Sequence, residues 1–343
     1  MNQNPYLERK FIEELNSEGQ IEIKEFTFFK DQILKELEPN GYNILLDEWK
    51  EERRKNLLEK ANEILELFDN RERFEKLKNF YKRESIIPFI GAGLSIPSGF
   101  PSWRDFLELV QKETHIKKET FSELLKKYQY EEAAQLLEDN DPDYLQEQLE
   151  NHFGKNITFD QIDGVICRLP EYFPDTTVVT TNYDKIIKIV YETLNKHFSE
   201  YFLGLDASSF QKNLREREHI LLKLHGTFEP KSRRVLTLSD YTRHYDENNN
   251  IKNCIQALFS QSVLFLGCSL NTDRTITELT NIIKNKNNYL SIPKHYAFLS
   301  CQELSDDERK QKRKMLNKAN IYTIWYDGDH DECIEALLEK LAE

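Results

Sequence analysis

The sequence has no paired cysteines, no long apolar run and no surplus of positive charge. Its five cysteines, Cys167, Cys254, Cys268, Cys301 and Cys333, are scattered and odd in number, with no Cys-x-x-Cys. That pattern argues against a disulfide scaffold or a zinc ribbon and fits a reducing, cytoplasmic setting. No stretch approaches the roughly 20 apolar residues that a membrane-crossing helix needs. The opening residues, Met1 to Pro5, lead straight into charged sequence, so no leader peptide is expected. Lys and Arg number 47 against 60 Asp and Glu, a formal net charge of −13. Contact with a phosphate backbone needs excess Lys and Arg, so a general nucleic-acid surface is not expected. A local pocket for a phosphorylated small molecule is not excluded by that balance.

What is present suits a soluble globular chain. The 343 residues suffice for one large domain or two ordinary ones. Apolar residues make up 39% and charged residues 31%, as expected for a real core beneath charged helices. Residues 1–80 are rich in Glu, Lys and Leu and read as two or three helices, interrupted at Pro39-Asn40-Gly41. From Asn56 to Phe80 the apolar residues recur at mostly helical spacing. This extension either covers the sheet or forms an oligomer or partner surface. Pro101 to about Gly154 again reads as helical, with a break at Asn140-Asp141-Pro142.

A series of short β-like runs follows the buried run Ile86–Ile90: Thr177–Thr181, Ile220–Leu224, Val235–Leu238, Val263–Gly267, Tyr296–Ser300 and Tyr322–Tyr326. Several are nearly all apolar or β-branched, as strands covered on both faces are. Helical stretches lie between most of them: Lys185–Lys196, Asn253–Ser260, Thr275–Lys284 and Ser305–Lys318. The alternation predicts an α/β fold, a Rossmann-like and mostly parallel sheet with helices on both faces. Ligands in such sheets bind at the carboxyl ends of strands.

Ile86–Ile90 ends in Gly91-Ala92-Gly93, where the backbone can approach a pyrophosphate; a tight turn explains the glycines equally well, and the third glycine of the common dinucleotide fingerprint is missing. Three more strand ends carry polar signatures: Thr180-Thr181-Asn182-Tyr183-Asp184, Lys223-Leu224-His225-Gly226 and Gly267-Cys268-Ser269-Leu270. Together with Ser95, Ser98-Gly99-Phe100-Pro101 and Arg104 they resemble, in order and spacing, the NAD-binding core of the sirtuins. They are most similar to the bacterial sirtuin-like branch that cleaves NAD in anti-phage defence. The resemblance covers roughly residues 81–330.

The resemblance implies roles. Asn182 and His225 match the family's catalytic Asn and His. An amide orients ribose hydroxyls or a water without adding charge, and an imidazole takes a proton near neutrality. Gly91, Ala92, Gly93, Ser95, Thr181, Gly267 and Ser269 line up with the dinucleotide cradle. Asp184 matches the acid that holds the nicotinamide carboxamide, although it also suits a cap for the helix from Lys185. Phe100 and Arg104 match the loop over the nicotinamide and phosphates. Asp273 is placed to hydrogen-bond a ribose hydroxyl. The other histidines, His115, His152, His197, His219, His244, His295 and His330, read as structural. Asp327-Gly-Asp-His-Asp-Glu-Cys333 looks like a metal cluster, but an acidic loop before a helix is favoured by the helix dipole alone, and no metal is expected there.

Two departures shape the expectation. Family deacylases carry a four-cysteine zinc ribbon after the catalytic histidine; here that span holds only Cys254. Ser102 stands where the usual loop has Asp. Water thus becomes the favoured nucleophile. The expected activity is NAD hydrolysis to nicotinamide and ADP-ribose, with NAD as substrate and no metal, in a defence system that kills by NAD depletion. The span Val235–Tyr241 resembles a signature of that branch. A domain division follows: residues 1–80 as the helical extension, and 81–343 as the NAD-binding domain with a helical insert at about 105–160. A free NAD hydrolase would harm its host, so gating by homo-oligomerisation or by a separate activator such as a HerA-type ATPase is expected. The alternatives are an NAD-dependent deacylase or ADP-ribosyltransferase, and a non-catalytic subunit binding NAD or ADP-ribose.

Overall fold

The computed structural model describes residues 4–17, 19–205, 207, 209–247, 250–271, 274–285 and 292–343. The chain opens with α1 (Pro5–Ser17), a hairpin of β1 (Ile21–Ile23) and β2 (Phe26–Phe28), then α2 (Lys30–Leu37), α3 (Pro39–Leu65) and α4 (Asn70–Tyr81). Strand β3 (Ile86–Ile90) leads into α5 (Trp103–Gln111), α6 (Lys118–Lys126), α7 (Tyr130–Asn140), α8 (Pro142–Phe153) and α9 (Leu169–Tyr172). Next come β4 (Val178–Thr180), α10 (Ile186–Thr193), β5 (Glu200–Leu203), α11 (Phe210–Arg215) and β6 (Ile220–Lys223). Then follow α12 (Leu238–Tyr241), α13 (Asn250–Leu258), β7 (Ser262–Leu266), α14 (Arg274–Asn285), β8 (His295–Ser300), α15 (Asp306–Lys318), β9 (Ile321–Tyr326) and α16 (His330–Ala342).

Seven of these strands form one parallel sheet in the order β5-β6-β4-β3-β7-β8-β9. It is an α/β, Rossmann-like sheet with helices on both faces. Period-two alternation explains why. Val263 and Phe265 of β7 point to one face and join residues of α11, α13, α14 and α15. Leu264 and Leu266 point to the other and join α4, α5, α10 and α16. With both faces covered, each strand can be apolar throughout; burying one such side chain stabilises the fold by about 1.5–3 kcal/mol. From β3 the chain first builds to one side, through β4 and β6, and then to the other, through β7, β8 and β9. The loops leaving β3 and β7 therefore diverge, and a crevice opens between them.

The N-terminal helices pack on the last helix and the last strand. Leu57 and Ala61 of α3 bury against Ala336 of α16. Arg53 and Arg54 pair with Glu335 and Glu339 at 2.6 and 2.9 Å, and the buried Arg168 joins the same two carboxylates at 2.9 and 3.1 Å. Asn70 closes the exposed edge of β9: its amide donates to the Trp325 carbonyl (2.7 Å) and accepts from the Trp325 N–H (2.9 Å). That side chain does what a neighbouring strand would do, and so blunts the edge.

Several expectations change. Among the described residues, four helices and a hairpin precede β3, not two or three helices. The periodic stretch Asn56–Phe80 is split between α3 and α4, where Phe68 takes a left-handed φ of 51°. The short edge strand β5 was not expected; half its residues are exposed, so it lacks the apolar run that marks a buried strand. The strand expected at Val235–Leu238 is absent. Only Arg234 bridges to Gly226, and Thr237 ends the extended run by capping α12: its hydroxyl accepts the Asp240 N–H while the Asp240 carboxylate accepts the Thr237 N–H. The Thr-x-x-Asp spacing is a capping box that outweighs the β-branched residues before it.

Candidate functional site

The crevice at the switch point is a cleft of about 800 Å³. It lies at the carboxyl ends of the strands and draws its walls from the loops after β3, β4, β6 and β7 and from the ends of β8 and β9. The four motif segments, far apart in the chain, meet there.

Thr180 sets the register of this rim. Its hydroxyl donates to the Ile90 carbonyl (2.8 Å) and accepts the Asn182 N–H (3.0 Å), while its carbonyl accepts the Leu224 N–H (2.8 Å). Strands β4 and β6 pair with Thr180 opposite Lys223, so Asn182 and His225 leave the sheet at the same level. Lys223 reaches under the Asn182 loop and donates to the carbonyls of Tyr183 (2.8 Å) and Asp184 (2.7 Å). Burial pushes its ammonium down to about 8.

His225 lies in the cleft wall and is itself buried. Its Nε2 hydrogen-bonds the Tyr245 hydroxyl at 2.8 Å, and the Tyr241 hydroxyl lies 3.4 Å from Nδ1. Both tyrosines come from the segment that follows the Thr237 cap, a helical turn continued by a π-helical stretch over Thr242–Glu247. Spacing of four along a helix puts both rings on one side, against the imidazole. Gly226 is required by its surroundings. Its φ is 77°, and a Cβ there would stand 1.9 Å from the Arg233 carbonyl oxygen.

Asn182 is turned away from the open cleft. Its amide nitrogen donates to Ser95 Oγ (3.1 Å), and Ser95 donates in turn to Asp184 Oδ2 (2.9 Å). Asp184 Oδ1 accepts the Ile186 N–H at 3.0 Å, which is the capping role for the following helix. All three side chains are buried, and Asn182 Oδ1 has no hydrogen-bond partner among the described residues. A buried amide oxygen left unpaired costs free energy unless something arrives to pair with it.

Of the remaining residues, Gly91, Ala92, Gly93, Arg104, Thr181, Gly267 and Ser269 line the cleft. Phe100 does not; it is buried in the core, with the Lys155 ammonium 5.8 Å from its ring centre. Arg104 pairs with Glu108 at 3.0 Å along α5. Asp273 lies outside the described residues. The glycines serve a purpose that their spacing did not reveal. A Cβ on Gly91 would stand 2.4 Å from the Gly267 carbonyl, and one on Gly93 would stand 2.8 Å from it. They let the loops after β3 and β7 touch, and Gly93 N–H donates to the Gly267 carbonyl at 2.9 Å.

Three features of the wall were not foreseen. Tyr241 and Tyr245 frame His225; the capping box ahead of them was the available signal. Lys312 lines the far end and donates to Asn271 at 2.8 Å, its ammonium pushed down by burial to about 8. His330 lines the cleft beside Gly93, although it read as structural. The acidic stretch around it serves the fold: Asp329 caps α16 through the Glu332 N–H (2.9 Å), and Asp331 accepts the Val165 N–H (3.0 Å). Among the described residues no cluster of three or more His, Cys, Asp and Glu could hold a metal ion, and no helix is long and apolar enough to cross a membrane.

Residues 176–324 match the family model described as the SIR2-like domain. That match covers less than half of the chain. It includes Asn182, His225 and the Gly267 loop, and excludes Gly91–Arg104 and His330. Curated relatives share the likeness over a longer span. The "NAD(+) hydrolase ThsA" of Bacillus cereus (strain MSX-D12) is 26% identical over 286 residues, 77% of this chain and 55% of the relative. The protein of the same name from Cytobacillus dafuensis is 26% identical over 288 residues, 78% of this chain and 55% of the relative. That of Enterococcus faecium is 23% identical over 252 residues, 69% and 50%. The chain thus spans about half the length of the curated relatives it matches.

Proposed function

We propose that the chain is an NAD+ hydrolase that releases nicotinamide and ADP-ribose, and that it acts as the effector of a bacterial anti-phage system by depleting NAD. The observation that carries the reading is the convergence of four separated strand-end motifs on one switch-point cleft, with His225 in its wall. The activity for which the relatives are named, NAD+ hydrolysis, supports it.

The chemistry asks little of the protein beyond placement. The bond between the ribose C1′ and the pyridinium nitrogen breaks, its electron pair goes to nitrogen, and nicotinamide leaves neutral. A water oxygen bonds to C1′ and gives its proton to a base. In this reading His225 is that base or passes the proton on, oriented by Tyr245. In this reading Asn182, buried behind the cleft wall, pairs its Oδ1 with a ribose hydroxyl or the water only when NAD binding opens a path to it. The close-packed Gly91–Gly93 and Gly267 loops admit the pyrophosphate, which needs no metal in this scheme. By the resemblance, the span between Gly226 and Gly267 stands where family deacylases carry their zinc module, and its Tyr241 and Tyr245 pack against His225, which favours water over a peptide acceptor.

Activity is gated in this reading, by self-association or by a separate activator. Residues 1–80 are the proposed surface, since Phe26, Leu37 and Ile44 are 59, 77 and 59% exposed there. The experiment incubates the protein, with candidate activators, with NAD and follows nicotinamide release and particle size together. Release by wild type and a loss of about 100-fold or more in Asn182→Ala is expected. Equal silence of both across all activators would overturn the hydrolase reading.

A further inference from the structure

We infer that His330 is a ligand-binding residue of the cleft, donating a hydrogen bond from Nε2 to the pyrophosphate of the bound dinucleotide. The inference rests on the NAD reading above and adds a residue to it.

Three observations converge. First, His330 stands at the glycine turn: a Cβ built on Gly93 would lie 3.0 Å from its Nε2, and His330, Gly91, Ala92 and Gly93 all line the cleft. Second, Nε2 is shielded from solvent and has no hydrogen-bond partner among the described residues. Third, the other nitrogen is committed, because Nδ1 hydrogen-bonds the Tyr326 hydroxyl at the end of β9. That bond fixes the ring's orientation and ties it to a strand rather than to a loop.

Among the described residues, two other imidazoles, the half-buried His219 and the buried His295, also leave Nε2 unpaired, and they show what an idle histidine looks like here. His219 stacks on Phe198 with ring centres 4.4 Å apart, and His295 packs edge-on against Phe259 at 4.9 Å. Neither lines the cleft. His330 alone among these three faces it.

Protonation agrees. Burial holds the His330 imidazole below its usual range, so it is neutral at pH 7, and burial raises Tyr326, which keeps its proton. Tyr326 O–H then donates to Nδ1, and the ring proton resides on Nε2, beside Gly93 in the cleft wall. An N–H held in a desolvated wall forms a strong bond to an anionic oxygen.

The test measures ADP-ribose binding, which involves no turnover, by calorimetry on the full chain, with adenosine as the probe that lacks phosphate. Melting curves confirm that each variant folds. His330→Ala should weaken ADP-ribose about tenfold or more and leave adenosine within about twofold. His330→Gln, which keeps a donor, should recover part of the loss. Tyr326→Phe, which frees the ring to turn, should cost less than His330→Ala. Unchanged ADP-ribose affinity in His330→Ala, or an equal loss for adenosine, overturns this inference and leaves the hydrolase reading standing. Should His330→Ala not fold, unchanged affinity in both His330→Gln and Tyr326→Phe overturns it. No ADP-ribose binding by wild type overturns both.

Discussion

The two ends of the same strands use polar side chains in opposite ways. At the amino ends, side chains bond to backbone and close gaps between loops. Ser262 Oγ donates to the Lys294 carbonyl (2.5 Å), Thr177 Oγ1 to that of Glu218 (3.0 Å), and His295 Nδ1 accepts the Val263 N–H (3.3 Å). At the carboxyl ends, beside similar backbone bonds from Thr180 and Lys223, side chains also bond to one another: Asn182 to Ser95, Ser95 to Asp184, His225 to Tyr245. Those networks border a cleft and leave Asn182 Oδ1 unpaired. The first arrangement serves stability, and the His295 Nε2 that it leaves unpaired belongs to a ring packed on Phe259, away from the cleft. The second is incomplete, and an incomplete buried polar network is tolerated where a ligand finishes it.

Substitutions at the two ends should therefore separate activity from stability. The largest effect is expected at the rim. His225→Ala should lower NAD cleavage by about 10²- to 10⁴-fold with its melting temperature nearly unchanged, measured by nicotinamide release and calorimetry. Near-wild-type turnover would remove His225 from the chemistry and blur the contrast. Gly226→Ala beside it should behave otherwise. Its φ of 77° and the contact 1.9 Å from the Arg233 carbonyl force the backbone to move. A stability loss of about 2–4 kcal/mol is expected in denaturant unfolding.

A smaller effect tests the amino ends. Burial pushes the His295 imidazole down to about 3. Between pH 6.5 and 3 the unfolded chain then binds a proton that the folded chain refuses, so stability falls as pH falls through that window. Asp331, pushed up to about 6, acts in the opposite direction over part of the same range. The readout is therefore the difference between wild type and His295→Gln. Melting temperature should fall less steeply with acid in the variant, while nicotinamide release at pH 7.5 stays the same. An equal slope would show that His295 does not resist protonation.

The legible part of this protein was its strands and their punctuation. Runs such as Val263–Gly267 and Tyr322–Tyr326 could only be covered strands, and their alternation with helices left few sheets to choose from. The position of Asn182 and His225 at one sheet rim was legible because each follows such a run directly. The edge strand Glu200–Leu203 was not, since exposure removes the apolar pattern that marks a strand. Tyr241 and Tyr245 were hidden by the β-branched run before them, although Thr237 and Asp240 carried the helix-start signal. His330 was illegible for a different reason. Its neighbours in sequence are an acidic helix cap, and only the fold sets its ring against the β3 loop.

Local order alone determined that apolar strands alternate with helices and that glycines and polar groups stand at strand ends, because period, capping and turn chemistry act within a few residues. Tertiary structure decided what those ends do. The direction of winding changes between β3 and β7, and only that change opens a crevice, presses Gly91 against Gly267, turns Asn182 onto Ser95 and brings His330 to Gly93. Such contacts join positions far apart in the chain, 87 residues even for Asn182 and Ser95, and no local pattern encodes the distance between them.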